Sequence, residues 1–157
     1  MTSHALARAG ARLLRSRRLV RAPIWIYRAR AGALFGSRTL MLEHVGRKSG
    51  RPRYVVLEVV DRPAPDSYVV PSGFGPKAQW FRNIEANPRV RIYLGSHAPA
   101  PATARVLGQQ EVDRVLASYR ERHPRAWGQF KHVLEETLGA PITDAGAPLP
   151  MVELRRD

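Results

Sequence analysis

Short apolar runs separated by glycine- and proline-marked turns dominate the chain from residue 39 to residue 107. Residues 39–45 and 53–60 read as two paired strands, joined by a turn in which Pro52 and two glycines interrupt the hydrophobic pattern. The stretch 61–66, Asp-Arg-Pro-Ala-Pro-Asp, is a second turn, and residues 67–71 form a third strand. Gly73-Phe74-Gly75-Pro76 then opens a helix over 77–86, closed by Asn87-Pro88. Strands follow at 89–94 and 102–107, on either side of a turn at 95–101. Residues 111–122 read as a helix, Pro124 starts another that runs to residue 138, and 150–154 is short and strand-like. No internal repeat occurs. Many short strands with interposed helices predict a small barrel-like α+β domain and not a parallel dinucleotide sheet.

Ahead of the strands the pattern is helical. Leu6, Gly10, Leu13 and Leu14 fall near one face of residues 4–20, with Arg8, Arg12, Arg15 and Arg18 around the rest, which is a basic amphipathic helix. A second short helix starts at Pro23, with Ile24, Trp25, Ile26 and Tyr27 as its packing surface before Gly32 and Gly36. Residues 1–22 are therefore read as an extension and 23–157 as one domain. No stretch of eighteen apolar residues is present to cross a bilayer, so the expected location is the cytoplasm, peripheral at the inner face of the cell membrane.

Charge sharpens this division. Of 26 basic residues, nine are arginines within the first 38 positions, where no acid occurs, while residues 39–157 carry 17 basic against 13 acidic groups. Such an asymmetric field suits an anionic membrane surface, an acidic ligand or nucleic acid. Nothing resembles a recognition helix or zinc finger, so nucleic acid is the least expected of the three. Absence of cysteine excludes disulfides and a thiol nucleophile, and redox chemistry would need an imported cofactor. The five histidines, at 4, 44, 97, 123 and 132, have no metal-ligand spacing, and no metal is expected.

The turn Gly46-Arg47-Lys48-Ser49-Gly50-Arg51-Pro52-Arg53 gathers four cations, a hydroxyl and two glycines. Glycine lets backbone N–H groups approach an oxyanion, serine adds a donor and arginine supplies a planar fork. The spacing is not that of a nucleotide P-loop. A phosphate or carboxylate cradle and a solvated basic hairpin are both compatible with these residues alone.

Resemblance adds to this reading. Leu40-Met-Leu-Glu-His-Val-Gly-Arg-Lys-Ser-Gly50 with Arg51-Pro-Arg53, followed later by Gln79-Trp-Phe-Arg-Asn-Ile-Glu-Ala-Asn-Pro-Arg-Val90, resembles the deazaflavin-dependent nitroreductase family of actinobacteria. The likeness spans roughly residues 24–155. It implies a split β-barrel of the flavin- and deazaflavin-binding oxidoreductase type with flanking helices, using reduced coenzyme F420, a deazaflavin with a phosphate- and glutamate-bearing tail. Flavin mononucleotide (FMN) is the alternative cofactor because related barrels use it. On this resemblance Arg47, Lys48 and Ser49 match the phosphate-contacting turn and Arg53 the basic residue beyond it. Gly73, Phe74 and Gly75 match the loop beside the deazaflavin ring, and Lys77 is a tail contact. Trp80 and Asn83 match an aromatic-x-x-asparagine pattern that supports the loop.

The implied activity is hydride transfer from the reduced deazaflavin to a small electrophile: a quinone, an enone or a nitro compound. The shorter Pro71-Ser72-Gly73-Phe74-Gly75-Pro76 loop and the lack of a tyrosine-rich C-terminal segment depart from the prodrug-reducing members. A cofactor-sequestering protein without efficient turnover is the alternative on the same barrel, and a nucleic-acid-binding protein the weaker one. Ser72 and His123 are the candidates for a proton donor near the substrate, whereas His44 reads as a structural or exposed imidazole. An apolar stripe of Val112, Leu116 and Tyr119 packs either on its own barrel or on a second copy, and a homodimer is the expected assembly.

Overall fold

The computed structural model describes residues 38–157. The helices expected over 4–20 and from Pro23, and with them the 1–22 extension, lie outside this range. Six strands form one antiparallel sheet: β1 (Thr39–Val45), β2 (Pro52–Glu58), β3 (Ser67–Pro71), β4 (Arg89–Tyr93), β5 (Ala100–Val106) and β6 (Met151–Arg156). Their order is β2-β1-β4-β5-β6-β3. The two ends of that order, β2 and β3, also lie against each other, so the sheet curls into the half of a split barrel. Three helices accompany it: α1 (Gln79–Ala86), α2 (Gln109–Arg122) and α3 (Pro124–Leu138).

Strand alternation divides the core in two. Leu40, Leu42, Val70, Ile92, Val152 and Leu154 line the inside of the barrel, which Trp80, Phe81 and Ile84 of α1 plug. The neighbouring positions Val69 and Met151 face the other way and are covered by Val112, Val115, Leu116 and Tyr119 of α2 and Leu134 of α3. The stripe on α2 is thus buried against its own chain and offers no face to a second copy.

Element ends follow from local chemistry. Pro88 holds Asn87 in an extended conformation, φ −141° and ψ 103°, and ends α1. His123 ends α2, and Pro124, whose missing N–H costs nothing in a first turn, begins α3. Gly139 closes α3 in the left-handed region, its N–H donating to Glu135 O at 2.9 Å.

Several sequence boundaries shift. The strand expected to reach residue 60 leaves the β1 ladder after Glu58, because Val60 donates instead to Val69 O on β3. The helix expected over 77–86 is split into a 3-10 turn at Gly75–Lys77, an extended Ala78, and α1 from Gln79. β5 begins at Ala100, two residues earlier than expected, because Ala100 pairs with Ile92.

Candidate functional site

The basic turn between β1 and β2 is closed by its own backbone. Gly46 N–H donates to Arg51 O at 2.9 Å and Gly50 N–H to Gly46 O at 2.8 Å. Ser49 Oγ accepts from Arg51 N–H at 3.2 Å, and a Cβ at position 46 would stand 2.5 Å from that oxygen, so a larger residue there would displace the Ser49 hydroxyl from this contact. Lys48, Ser49, Arg51 and Arg53 are exposed. The turn therefore presents three cations and a hydroxyl on a compact, pre-formed backbone.

Arg47 points a different way from its neighbours. Its backbone N–H and Nη1 both donate to Asn83 Oδ1, at 3.1 and 2.9 Å, and Nη2 donates to Gln79 Oε1 at 2.9 Å. Gln79 and Asn83, one turn apart, share a face of α1. Asn83 is buried, and its amide nitrogen lies 3.0 Å from Nδ1 of His44, which is also buried. The basic turn is thereby fastened to α1, and α1 to the mouth of the barrel.

The protonation state of His44 follows from donor and acceptor counting. A backbone N–H can only donate, so the oxygen of Asn83 must face Arg47, and its nitrogen must face His44. Nδ1 is then an acceptor, leaving the ring proton of neutral His44 on Nε2. Burial, with the nearby Arg53 charge as the lesser cause, lowers the His44 pKa to about 4.

The loop that leads into α1 is equally fixed. Ser72, fully buried, donates through Oγ to Gly75 O at 2.7 Å, while Gly75 N–H returns to Ser72 O at 2.9 Å and Ser72 N–H donates to Pro150 O at 2.8 Å. Gly75 has φ +79°, a conformation that favours glycine. The last turns of α3 back this loop: Thr137 Oγ1 donates to Gly73 O, and Cβ atoms added at Gly73 and Gly75 would meet Leu134 and Leu138 at 3.4 and 3.5 Å. Phe74, 41% exposed, stands at the tip, and Lys77 is exposed at the end of the 3-10 turn.

These observations sort the sequence-derived candidates. Arg47, Lys48, Ser49 and Arg53 share the turn, and Ser72, Gly73, Phe74, Gly75 and Lys77 share the loop before α1. Arg47 bridges the two groups through Gln79. Trp80 packs edge-on against Phe81 in the barrel core, with ring centroids 5.9 Å apart, and Asn83 lies beneath the turn. His123 is an exposed residue at the α2–α3 junction, its ring 5.2 Å from that of Tyr119. From there to Leu134, where α3 meets the loop, is roughly 16 Å along the helix at 1.5 Å per residue. The structure does not bring His123 to the loop.

Sequence reasoning missed Gln79, Thr137 and the partnership of His44 with Asn83. The phase of β1 places His44 on the face of Leu40 and Leu42, and the i, i+4 spacing places Gln79 beside Asn83; those were the available signals. Glu58 was also missed. Its carboxyl is pushed up from the ordinary value by burial, against the lowering influence of Arg38 and of a hydrogen bond with Tyr119. Among the described residues no cluster of three metal-ligating side chains occurs, and no helix is long and apolar enough to cross a membrane.

Residues 19–139 match the family model described as F420H(2)-dependent quinone reductase. No curated protein matches the chain. Solved structures of similar shape include an F420-H2 dependent reductase, FDR-A, with 24% identity over 75% of this chain and 94% of that one, at a TM-score of 0.52. The haem storage protein HutZ from Vibrio cholerae has 19% identity over 88% of this chain and 90% of its own, also at 0.52. A protein assigned as pyridoxamine 5′-phosphate oxidase from Listeria innocua has 10% identity over 79% of this chain and 87% of its own, again at 0.52. At these identities the likeness establishes the split-barrel fold.

Proposed function

The chain belongs to the F420H(2)-dependent quinone reductase family, and on that premise we propose that it binds reduced F420 between the basic turn and the Ser72–Gly75 loop and reduces a quinone-class acceptor. The observation that carries this reading is the fastening of the turn to the first two turns of α1, the helix into which the loop runs. An anionic tail and a flat ring need a cationic segment and a glycine-bordered segment on one rigid support.

The residues present fit that cofactor. Lys48, Arg51 and Arg53 suit phosphate and carboxylate oxygens, with Lys77 beyond them toward the loop. Arg47 has five N–H donors on its guanidinium, of which α1 engages two, so it holds the turn and retains donors for an anion. Gly73 and Gly75 let backbone approach a ring closely, beside exposed Phe74.

When bound, the reduced deazaflavin supplies a hydride, and a quinone that takes up this hydride and one proton becomes the hydroquinone. The chain's own residues position and shield. Ser72 directs its hydroxyl proton to Gly75 O and so sets the loop's shape, which supports a structural role for this hydroxyl. α3 closes the back of the loop against water through Leu134 and Leu138.

The test is single-turnover oxidation of the protein-bound reduced cofactor on mixing with a soluble quinone. Oxidation faster than that of the free cofactor supports the reductase. Tight binding with no acceleration supports the sequestering alternative.

A further inference from the structure

We propose that His44 is a positioning residue for the basic turn: by accepting from Asn83 it holds in place the amide that receives Arg47, and so anchors the pre-formed turn, with Lys48 and Arg51, against α1. What the turn binds rests on the functional reading above; the positioning does not.

His44 and Asn83 are each 4% exposed, so water cannot substitute for a lost partner. Asn83 Oδ1 receives both the backbone N–H and Nη1 of Arg47. Were the amide reversed, its NH2 group would face two donors and its oxygen would lie against Nδ1. The two donors of Arg47 and the acceptor at Nδ1 select the same orientation, and an apolar residue at 44 would leave the buried amide nitrogen without its partner and loosen the hold of Asn83 on Arg47.

The surrounding charges keep that acceptor intact. Arg53 is the cross-strand partner of His44 on β2, and from α1 and the turn the network brings up Asn83 with Arg47 behind it. From β4, Arg91 pairs with Glu43, and both project to the opposite face of the sheet. Among the described residues the ionic groups that face the ring are thus cations, with no carboxylate among them to favour the imidazolium. The lowered pKa agrees, and the ring remains an acceptor at neutral pH.

Nuclear magnetic resonance of the full chain tests this directly. Nitrogen shifts of the His44 ring are expected to show the neutral form with the proton on Nε2 at neutral pH; a ring protonated on Nδ1 would overturn the proposal. In His44→Leu the backbone amide of Arg47 is expected to exchange with solvent at least about tenfold faster, corresponding to one lost hydrogen bond. The amide of Val152 in the barrel core is expected to keep its rate, and His44→Asn, which restores an acceptor near the Nδ1 position, is expected to restore protection at Arg47. Unchanged exchange at Arg47 in folded His44→Leu would also overturn the proposal. Should His44→Leu fail to fold, the ring tautomer of the wild type decides. In titration with F420 the same variants are expected to lose and regain affinity by about tenfold. If the wild type fails to bind F420 while the exchange result holds, the functional reading falls and the positioning role stands.

Discussion

The barrel mouth and the helical flank bury polar groups in opposite ways. At the mouth and its loop, His44, Asn83 and Ser72 are buried and joined to specific partners, Asn83 holding the backbone of Arg47 and Ser72 that of Gly75. Under α2 and α3 the buried surface is apolar and aromatic, including Tyr119 with Trp127 and Phe130 at centroid distances of 6.2 and 5.6 Å. Its ion pairs, Arg105–Glu111, Arg122–Asp61 and Lys131–Glu135, sit at the solvent rim. Burying polar atoms is costly, and exposed ion pairs contribute little. The contrast therefore separates a region built for position from one built for stability.

The largest expected effect comes from unplugging the mouth. Trp80→Ala should cost about 3–5 kcal/mol in denaturant unfolding, as for other buried aromatics. A loss below about 1 kcal/mol would show that α1 is not part of the barrel core.

Acid distinguishes the two regions by sign. His44 has a folded pKa of about 4, below the ordinary 6.5, so the unfolded chain takes up the proton first. Its contribution should erode as pH falls from about 6.5 to about 4, by at most about 1.4 kcal/mol per unit, and level off below. Glu58, on the flank, has a raised pKa and works in reverse: protonation on acidification favours the folded state. Unfolding free energies measured against pH should become flatter over the histidine window in His44→Asn. Glu58→Gln should match or exceed the wild type at neutral pH. A steeper acid loss in His44→Asn would contradict the assignment.

Within the basic turn, Arg47→Ala should lose about 1–2 kcal/mol of stability with its contacts to α1, whereas Lys48→Ala should leave stability within about 0.5 kcal/mol and weaken only anion binding. Equal effects of the two on thermal unfolding would erase the distinction between pin and ligand.

The smallest effect compares two buried serines. Ser72→Ala removes a donor that shapes the loop and should cost about 1 kcal/mol, while Ser67, whose buried hydroxyl has no partner among the described residues, should tolerate alanine with little loss. Chemical denaturation of both variants checks this.

Much of the strand and helix pattern was legible because Gly50, Pro88, Pro124 and Gly139 punctuate it locally. The barrel could be inferred as a class, but the insertion of β6 between β5 and β3 joins strands far apart in sequence, and no local period encodes that. The cations of the turn were visible as a cluster. Their division was not, since Arg47 meets Asn83 across 36 residues and Asn83 meets His44 across 39. Nor was the contact of Thr137 with Gly73, 64 residues apart, by which α3 backs the loop. His123 read as a proton donor because histidine beside a helix boundary looks the same whether the boundary is near a site or distant from it. The stripe on α2 showed that something must cover it, and only the tertiary arrangement shows that β3 and β6 do so.

Side-by-side titration of the full chain with F420 and FMN at equal ionic strength decides whether the basic turn is built for a long anionic tail. F420 should bind saturably, with affinity that weakens with salt and with Lys48→Ala, and FMN should bind much more weakly, because its short phosphate tail engages fewer of the cations along the turn. Binding of FMN as tight as that of F420, or F420 affinity indifferent to salt and to Lys48, would contradict this reading of the turn.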